Sequence, residues 1–257
     1  MKYSLCLEPI FDTISFYDRF AAAKEIGYDA VEFWDASAYD VGKIEKAASA
    51  ADIPIAAMTL IDNWGVRVSD DYRAVLKKAE ESIKIGKQLR CRKFIGLSGD
   101  VTAKNDNQKN ILIENLKRLG EIFEKNDAVL VLESLNSIVD HKGYYLDSSL
   151  LGFEIVRCVD SPGVRLLYDI YHMQIMEGNI ICNITSNIDY IGHFHCAGVP
   201  GRNEPQRGEL NYGRVVPAIE ATDYDGYFGL EYWPVGDHSE SATQVLSYMR
   251  RCSEEKL

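Results

Sequence analysis

Four ionisable side chains close or line short apolar runs: Glu133 after Val129-Leu130-Val131-Leu132, Asp169 after Leu166-Leu167-Tyr168, His195 within Tyr190 to Ala197, and Glu231 after Phe228-Gly229-Leu230. A charge ending an apolar run is costly unless it is paired or binds a metal. Three carboxylates and one imidazole make an oxygen-rich donor set. That set suits Mn²⁺ or Mg²⁺, with Co²⁺ or Zn²⁺ as further candidates, better than it suits a structural zinc held by Cys and His. Glu133 and Glu231, on separate runs, can flank a substrate from two sides. Two carboxylates about a chelated carbonyl are what proton abstraction from the adjacent carbon requires. His193 lies two residues before His195, on the same side of a strand, and its plainer reading is a buried histidine bonding its neighbours.

The elements that must carry these residues alternate regularly. Tyr3 to Leu7, Ala30 to Phe33, Pro54 to Leu60, Lys93 to Gly96, Ala128 to Glu133, Val164 to Asp169, Tyr190 to Ala197 and Tyr227 to Glu231 read as strands. Helical periodicity follows each of them: Phe16 to Ile26, Val41 to Ala51, a long helix after Asp70 and Asp71, then Gln108 to Asn126, Ser148 to Val159, Asn179 to Ile188, Arg214 to Ala221 and Glu240 to Cys252. Eight such units in 257 residues, about 32 residues each, predict a (β/α)₈ TIM barrel with its active site at the C-terminal strand ends. No GxGxxG follows the first strand, which disfavours an open doubly wound sheet. No Pro/Gly/Ser-rich linker divides the chain, so residues 1–257 are expected to form one domain.

The net charge of −11 repels nucleic acid and anionic membrane, and no run of eighteen apolar residues exists to span a bilayer. Six scattered cysteines without a CxxC read as reduced thiols of a cytoplasmic protein.

The chain resembles the xylose-isomerase-like TIM-barrel superfamily of sugar isomerases and epimerases, and within it the hydroxypyruvate isomerase family. The stretches that carry the resemblance are Val31-Glu32-Phe33, Leu132-Glu133-Ser134-Leu135-Asn136, Gly143-Tyr144-Tyr145-Leu146 and Tyr168-Asp169-Ile170-Tyr171-His172-Met173-Gln174. They continue with Val199 to Pro205, Gly208-Glu209-Leu210-Asn211-Tyr212, Gly226-Tyr227 and Gly229-Leu230-Glu231-Tyr232. The resemblance implies a divalent metal on Glu133, Asp169, His195 and Glu231, with Glu133 and Glu231 doubling as the acid/base pair. It also implies His172 and Arg202 as contacts for substrate oxygens. Hydroxypyruvate isomerases usually carry Gln where His195 stands, whereas the related ketose 3-epimerases carry His.

Arg202 lies in a Gly/Pro-rich loop and can grip a substrate carboxylate bidentately. Glu204 and Glu209 share that loop, either tying Arg202 in place or, for Glu209, contacting substrate. Trp34, Trp64 and Trp233 fall just past strand ends, where an aromatic wall would exclude water; Trp64 is the one taken as a substrate contact. The expected activity is isomerisation of a small hydroxy-oxo acid or sugar through a metal-stabilised enediolate. A ketose 3-epimerase or a metal-dependent dehydratase is the alternative. The superfamily's abasic-site endonucleases, with their multi-zinc clusters, fit poorly with five histidines and an acidic chain. Related barrels are often dimers or tetramers, and aromatics near Tyr232 and Trp233, expected to be exposed, would suit a homo-oligomer.

Overall fold

The computed structural model describes residues 1–61 and 72–254. Eight parallel strands close in sequence order: β1 (Lys2–Cys6), β2 (Ala30–Phe33), β3 (Ile55–Thr59), β4 (Lys93–Leu97), β5 (Val129–Glu133), β6 (Val164–Asp169), β7 (Ile191–Cys196) and β8 (Tyr227–Leu230), with β8 pairing back onto β1. Around them run α1 (Arg19–Ile26), α2 (Val41–Ala51), α3 (Tyr72–Leu89), α4 (Asp106–Lys125), α5 (Ser149–Val159), α6 (Ile170–Met176), α7 (Ile180–Thr185), α8 (Tyr212–Glu220) and α9 (His238–Glu254). The expected TIM barrel is the observed one. No helix among the described residues is long and apolar enough to cross a membrane, and all six cysteines are free thiols.

Strand parity divides the interior in two. Outward residues such as Leu5, Val31, Met58, Phe94, Leu130, Leu166, Phe194 and Phe228 join the main core between barrel and helices. Inside the barrel, Ala57, Ile95, Val131 and Leu167 form a separate apolar cluster on β3 to β6. The opposite inner wall is polar: Ser4, Glu32, His193 and His195 are all buried there. Layered branched residues are the usual filling of such a barrel, so half of this interior departs from the rule.

Two expectations are corrected, one after β6 and one after β8. The sequence places one helical stretch at Asn179 to Ile188, but α6 starts directly at Ile170 because Asp169 caps it, its Oδ1 accepting from His172 N at 3.1 Å. A strand residue that doubles as N-cap leaves no loop to announce the helix. Tyr232, expected among exposed aromatics, is fully buried, with its hydroxyl 3.3 Å from Ser241 Oγ; Trp233 beside it is 40% exposed.

Candidate metal centre

Register brings the four ionisable residues together. Glu133 ends β5, Asp169 ends β6 and pairs with His195 on β7, His195 pairs with Gly229 on β8, and Glu231 follows two residues on. One donor atom from each of Glu133, Asp169, His195 and Glu231 lies within 4.8 Å of the others, and all four side chains are buried. His195 Nδ1 stands 3.2 Å from Glu133 Oε1 and 3.5 Å from Glu231 Oε2. Arg202 completes the group, its guanidinium bonded to Glu231 Oε2 and 4.0 Å from Asp169 Oδ2.

The electrostatics follow from that packing. Burial pushes Asp169 up to about 7, against the pull of Arg202 and His195. Burial acts the same way on Glu231, but Arg202 and His195 outweigh it and hold this carboxyl well below the usual range. His195 would lose its charge on burial, yet Glu32 and Glu231 raise it well above an ordinary histidine. Three carboxylates thus gather around two cationic N–H groups, one on His195 Nδ1 and one on Arg202. Two positive charges among buried oxygens occupy the place a divalent cation would take, so the donor set fits a hard divalent ion.

Both oxygens of Glu231 are engaged, Oε1 by Trp34 Nε1 at 2.8 Å and Oε2 by Arg202. The Glu133 carboxylate bonds only His195, through Oε1, among the described residues. Beside them opens a cavity of about 300 Å³ lined by Glu133, His195, Arg202, Glu231, Trp34, Trp233, Leu135 and His141. Arg202 is clamped between rings, 4.8 Å from the centroid of Trp233 and 5.4 Å from that of Tyr171.

Its backbone is pinned as well. Gly201 (φ 96°) and Arg202 (φ 55°) turn through the left-handed region, and Trp233 N donates to Arg202 O at 2.9 Å. Buried Glu204 accepts from Val235 N and Ser241 Oγ, fastening the loop to the segment after β8.

Two residues expected at the substrate lie elsewhere. His172 is completely buried behind Asp169, with Nε2 at 3.6 Å from Asp169 Oδ2 and Nδ1 accepting from Asn136 N at 3.2 Å, and it does not line the cavity. Glu209 faces outward: its amide returns to Val199 O, and its carboxylate accepts from Gln174 Nε2 at 3.3 Å in a separate surface depression. Closeness to Arg202 in sequence does not place it at the mouth, because the loop doubles back at Val199. Trp64 lies outside the described residues.

The sequence reading missed Glu32 and His141. Glu32, on β2, bonds His193 Nε2 at 2.8 Å and Ser4 Oγ at 2.6 Å. A lone carboxylate inside the apolar run Ala30-Val31-Glu32-Phe33 was the signal for it. His141 lines the cavity from the segment after β5, where no periodicity marks it.

Comparison with known proteins agrees with this geometry. The family model described as xylose isomerase-like TIM barrel matches residues 20–252. A hydroxypyruvate isomerase of Escherichia coli K12 is 28% identical over 91% of this chain and 94% of its own. A 2-oxo-tetronate isomerase of Pectobacterium atrosepticum is 27% identical over 91% of this chain and 93% of its own. Among solved structures, an AP endonuclease, family 2, from Brucella melitensis superposes with a TM-score of 0.91 at 24% identity, covering 96% of this chain and 98% of its own, a likeness of fold. Eight strands closed in order, the carboxylate–imidazole cluster at their C-terminal ends and a family match over nearly the whole chain converge: this chain belongs to the xylose isomerase-like TIM-barrel family.

Proposed function

We propose that the protein is a divalent-metal-dependent isomerase of a small hydroxy-oxo acid, of the hydroxypyruvate isomerase kind. The observation that carries this reading is that Glu133 Oε1 and Glu231 Oε2 both approach His195 Nδ1, at 3.2 and 3.5 Å, in the lining of a cavity whose guanidinium, among the described residues, is Arg202. Glu133, Asp169, His195 and Glu231 would hold the ion, with Mn²⁺ or Mg²⁺ the best match to the donors. When bound, the ion supplies electrophilic polarisation of the substrate carbonyl.

The chain's own groups do the rest. Arg202 offers a charge-assisted grip on a substrate carboxylate, and relatives named for hydroxypyruvate and 2-oxo-tetronate act on such acids. Glu133 has an oxygen that no described residue engages, so it is the group that removes the proton from the carbon beside the carbonyl. The resulting enediolate takes a proton on the former carbonyl carbon while the hydroxyl proton passes to the former carbonyl oxygen, which completes the isomerisation with no atom gained or lost. Glu231, held ionised between Trp34 and Arg202, serves as the opposing carboxylate of the pair. Trp34 and Trp233 wall the cavity and exclude water.

His195 favours a second reading, ketose 3-epimerisation, in which the proton returns to the opposite face of the same carbon. The test is an incubation in D₂O with Mn²⁺ or Mg²⁺, offering hydroxypyruvate, tetruloses, pentuloses and hexuloses, with and without EDTA. Chelator-sensitive deuterium uptake with a new isomer from an acid is the expected result. A new product only from ketoses would establish the epimerase, and loss of the mass of water would point to a dehydratase. No exchange with any member of the panel would refute both isomerase readings.

A further inference from the structure

Beneath the cluster, on the polar inner wall, Glu32 stands between two histidines. Its Oε2 accepts from Ser4 Oγ at 2.6 Å and contacts His193 Nε2 at 2.8 Å. Its Oε1 lies 2.8 Å from His195 Nε2 as an ion pair, and neither atom completes a hydrogen bond of good geometry with any described residue. Glu32, His193 and His195 are each 2% exposed or less. Opposite them, β8 carries Gly229, where a Cβ would fall 2.5 Å from Glu32 Oε1 and 2.7 Å from His195 Cδ2. The barrel wall is hollowed there for the pair.

A carboxylate oxygen 2.8 Å from a ring nitrogen cannot face that nitrogen's lone pair, so the nitrogen carries a proton. Nε2 of His195 therefore keeps its proton, and Nδ1, whose proton faces Glu133 and Glu231 in the metal-free site, is the nitrogen that gives its proton up to ligate a cation. The geometry points to Glu32 as the positioning residue of the site: it fixes the tautomer and ring orientation of His195, so that Nδ1 can ligate the cation. This rests on the metal reading above and adds to it a residue that touches neither cation nor substrate.

A carboxylate has acceptors for both histidines at once, whereas an amide has one. In Glu32→Gln the two rings compete for a single acceptor, and a His195 that loses the contest carries its proton on Nδ1, where it blocks ligation. His193→Gln removes the competing ring and leaves Glu32 to His195 and Ser4.

The experiment titrates metal-free protein with Mn²⁺ alone, followed by electron paramagnetic resonance. Free Mn²⁺ gives the affinity, and the ¹⁴N modulation reports a coordinated imidazole. Wild type should bind with a ¹⁴N coupling. Glu32→Gln should bind about 10- to 100-fold more weakly and lose that coupling, while its metal-free form still melts cooperatively. His193→Gln should keep the coupling and lose less than Glu32→Gln. If Glu32→Gln fails to fold, Glu32→Asp keeps the charge one methylene shorter and should bind weakly with the coupling present.

Wild-type affinity and coupling in folded Glu32→Gln would overturn the inference, as would equal losses in Glu32→Gln and His193→Gln or loss of the coupling in folded Glu32→Asp. A wild type that binds no Mn²⁺ would instead remove the metal reading itself, and this inference with it.

Discussion

Metal affinity should depend steeply on pH, and the structure gives the slope. In the metal-free site Asp169 titrates at about 7, raised by burial and flanked by Arg202, His195, Glu133 and Glu231. Because the folded-state value lies above the ordinary aspartate value of 3.8, the protonated side chain contributes its full stability below pH 3.8, and that contribution is lost as pH rises through 7. The three-unit rise corresponds to about 4 kcal/mol of burial cost at pH 8, which a bound cation offsets. Cation binding must also displace the proton on His195 Nδ1, since this ring stays charged well above the ordinary histidine range.

Binding should therefore release about one proton above pH 7 and approach two below it. Between pH 8 and pH 6 the Asp169 proton alone lowers affinity about 10-fold, and the His195 proton lowers it further in the same direction. Calorimetric Mn²⁺ titrations in buffers of different ionisation enthalpy count the protons directly. At pH 8, Mn²⁺ at about 100 times its Kd should add about 2.7 kcal/mol and raise Tm by roughly 5–11 °C. An affinity that is flat between pH 6 and 8, or binding without proton release, would refute the assignment of these groups as ligands.

Two substitutions separate chemistry from binding. Glu133→Gln should lose about 10²- to 10⁴-fold in kcat, measured by steady-state turnover, while retaining substrate binding by calorimetry; full turnover would exclude Glu133 as the base. Arg202→Met should lower kcat/KM about 100-fold for a carboxylate-bearing substrate, near 3 kcal/mol for a charge-assisted pair of hydrogen bonds. Its effect on an uncharged ketose should be much smaller, and equal losses on the two substrates would show that the guanidinium acts through Glu231 instead.

The barrel and the carboxylate–imidazole cluster were legible for one reason. Each of Glu133, Asp169 and Glu231 is a carboxylate closing an apolar run, and alternation puts His195 on the inner face. The alternation of strands and helices fixed the architecture, with strand boundaries shifted by a residue or so, as at β3 and β8. What was not legible depends on contacts that sequence distance hides. His172 follows Asp169 by three residues, yet the cap that Asp169 provides to α6 draws its ring behind the site, where it accepts from Asn136 N. Glu209 sits seven residues from Arg202 in a loop that folds back through Val199 and points away. Glu32 obeys the same rule as the recognised carboxylates, but it sits one layer below the rim, where attention to strand ends alone does not reach.

That lower layer explains how so many charges are tolerated in one barrel. Along the polar wall the signs alternate: Glu32 negative, His195 positive, Glu133 and Glu231 negative, Arg202 positive, each within about 4 Å of an opposite neighbour. The remaining histidine, His193, is pushed down to about 4 by burial despite Glu32, so it enters the column as a neutral donor. Removing one member of a buried pair strands its partner at about 3–5 kcal/mol. The apolar half of the interior, Ala57, Ile95, Val131 and Leu167, meanwhile keeps water from screening the column. On the proposed reading, Glu133, Asp169, His195 and Glu231 would hold a divalent cation in place of the His195 Nδ1 proton, and Glu32, which touches only the Nε2 side of that ring, would orient His195 with or without the cation.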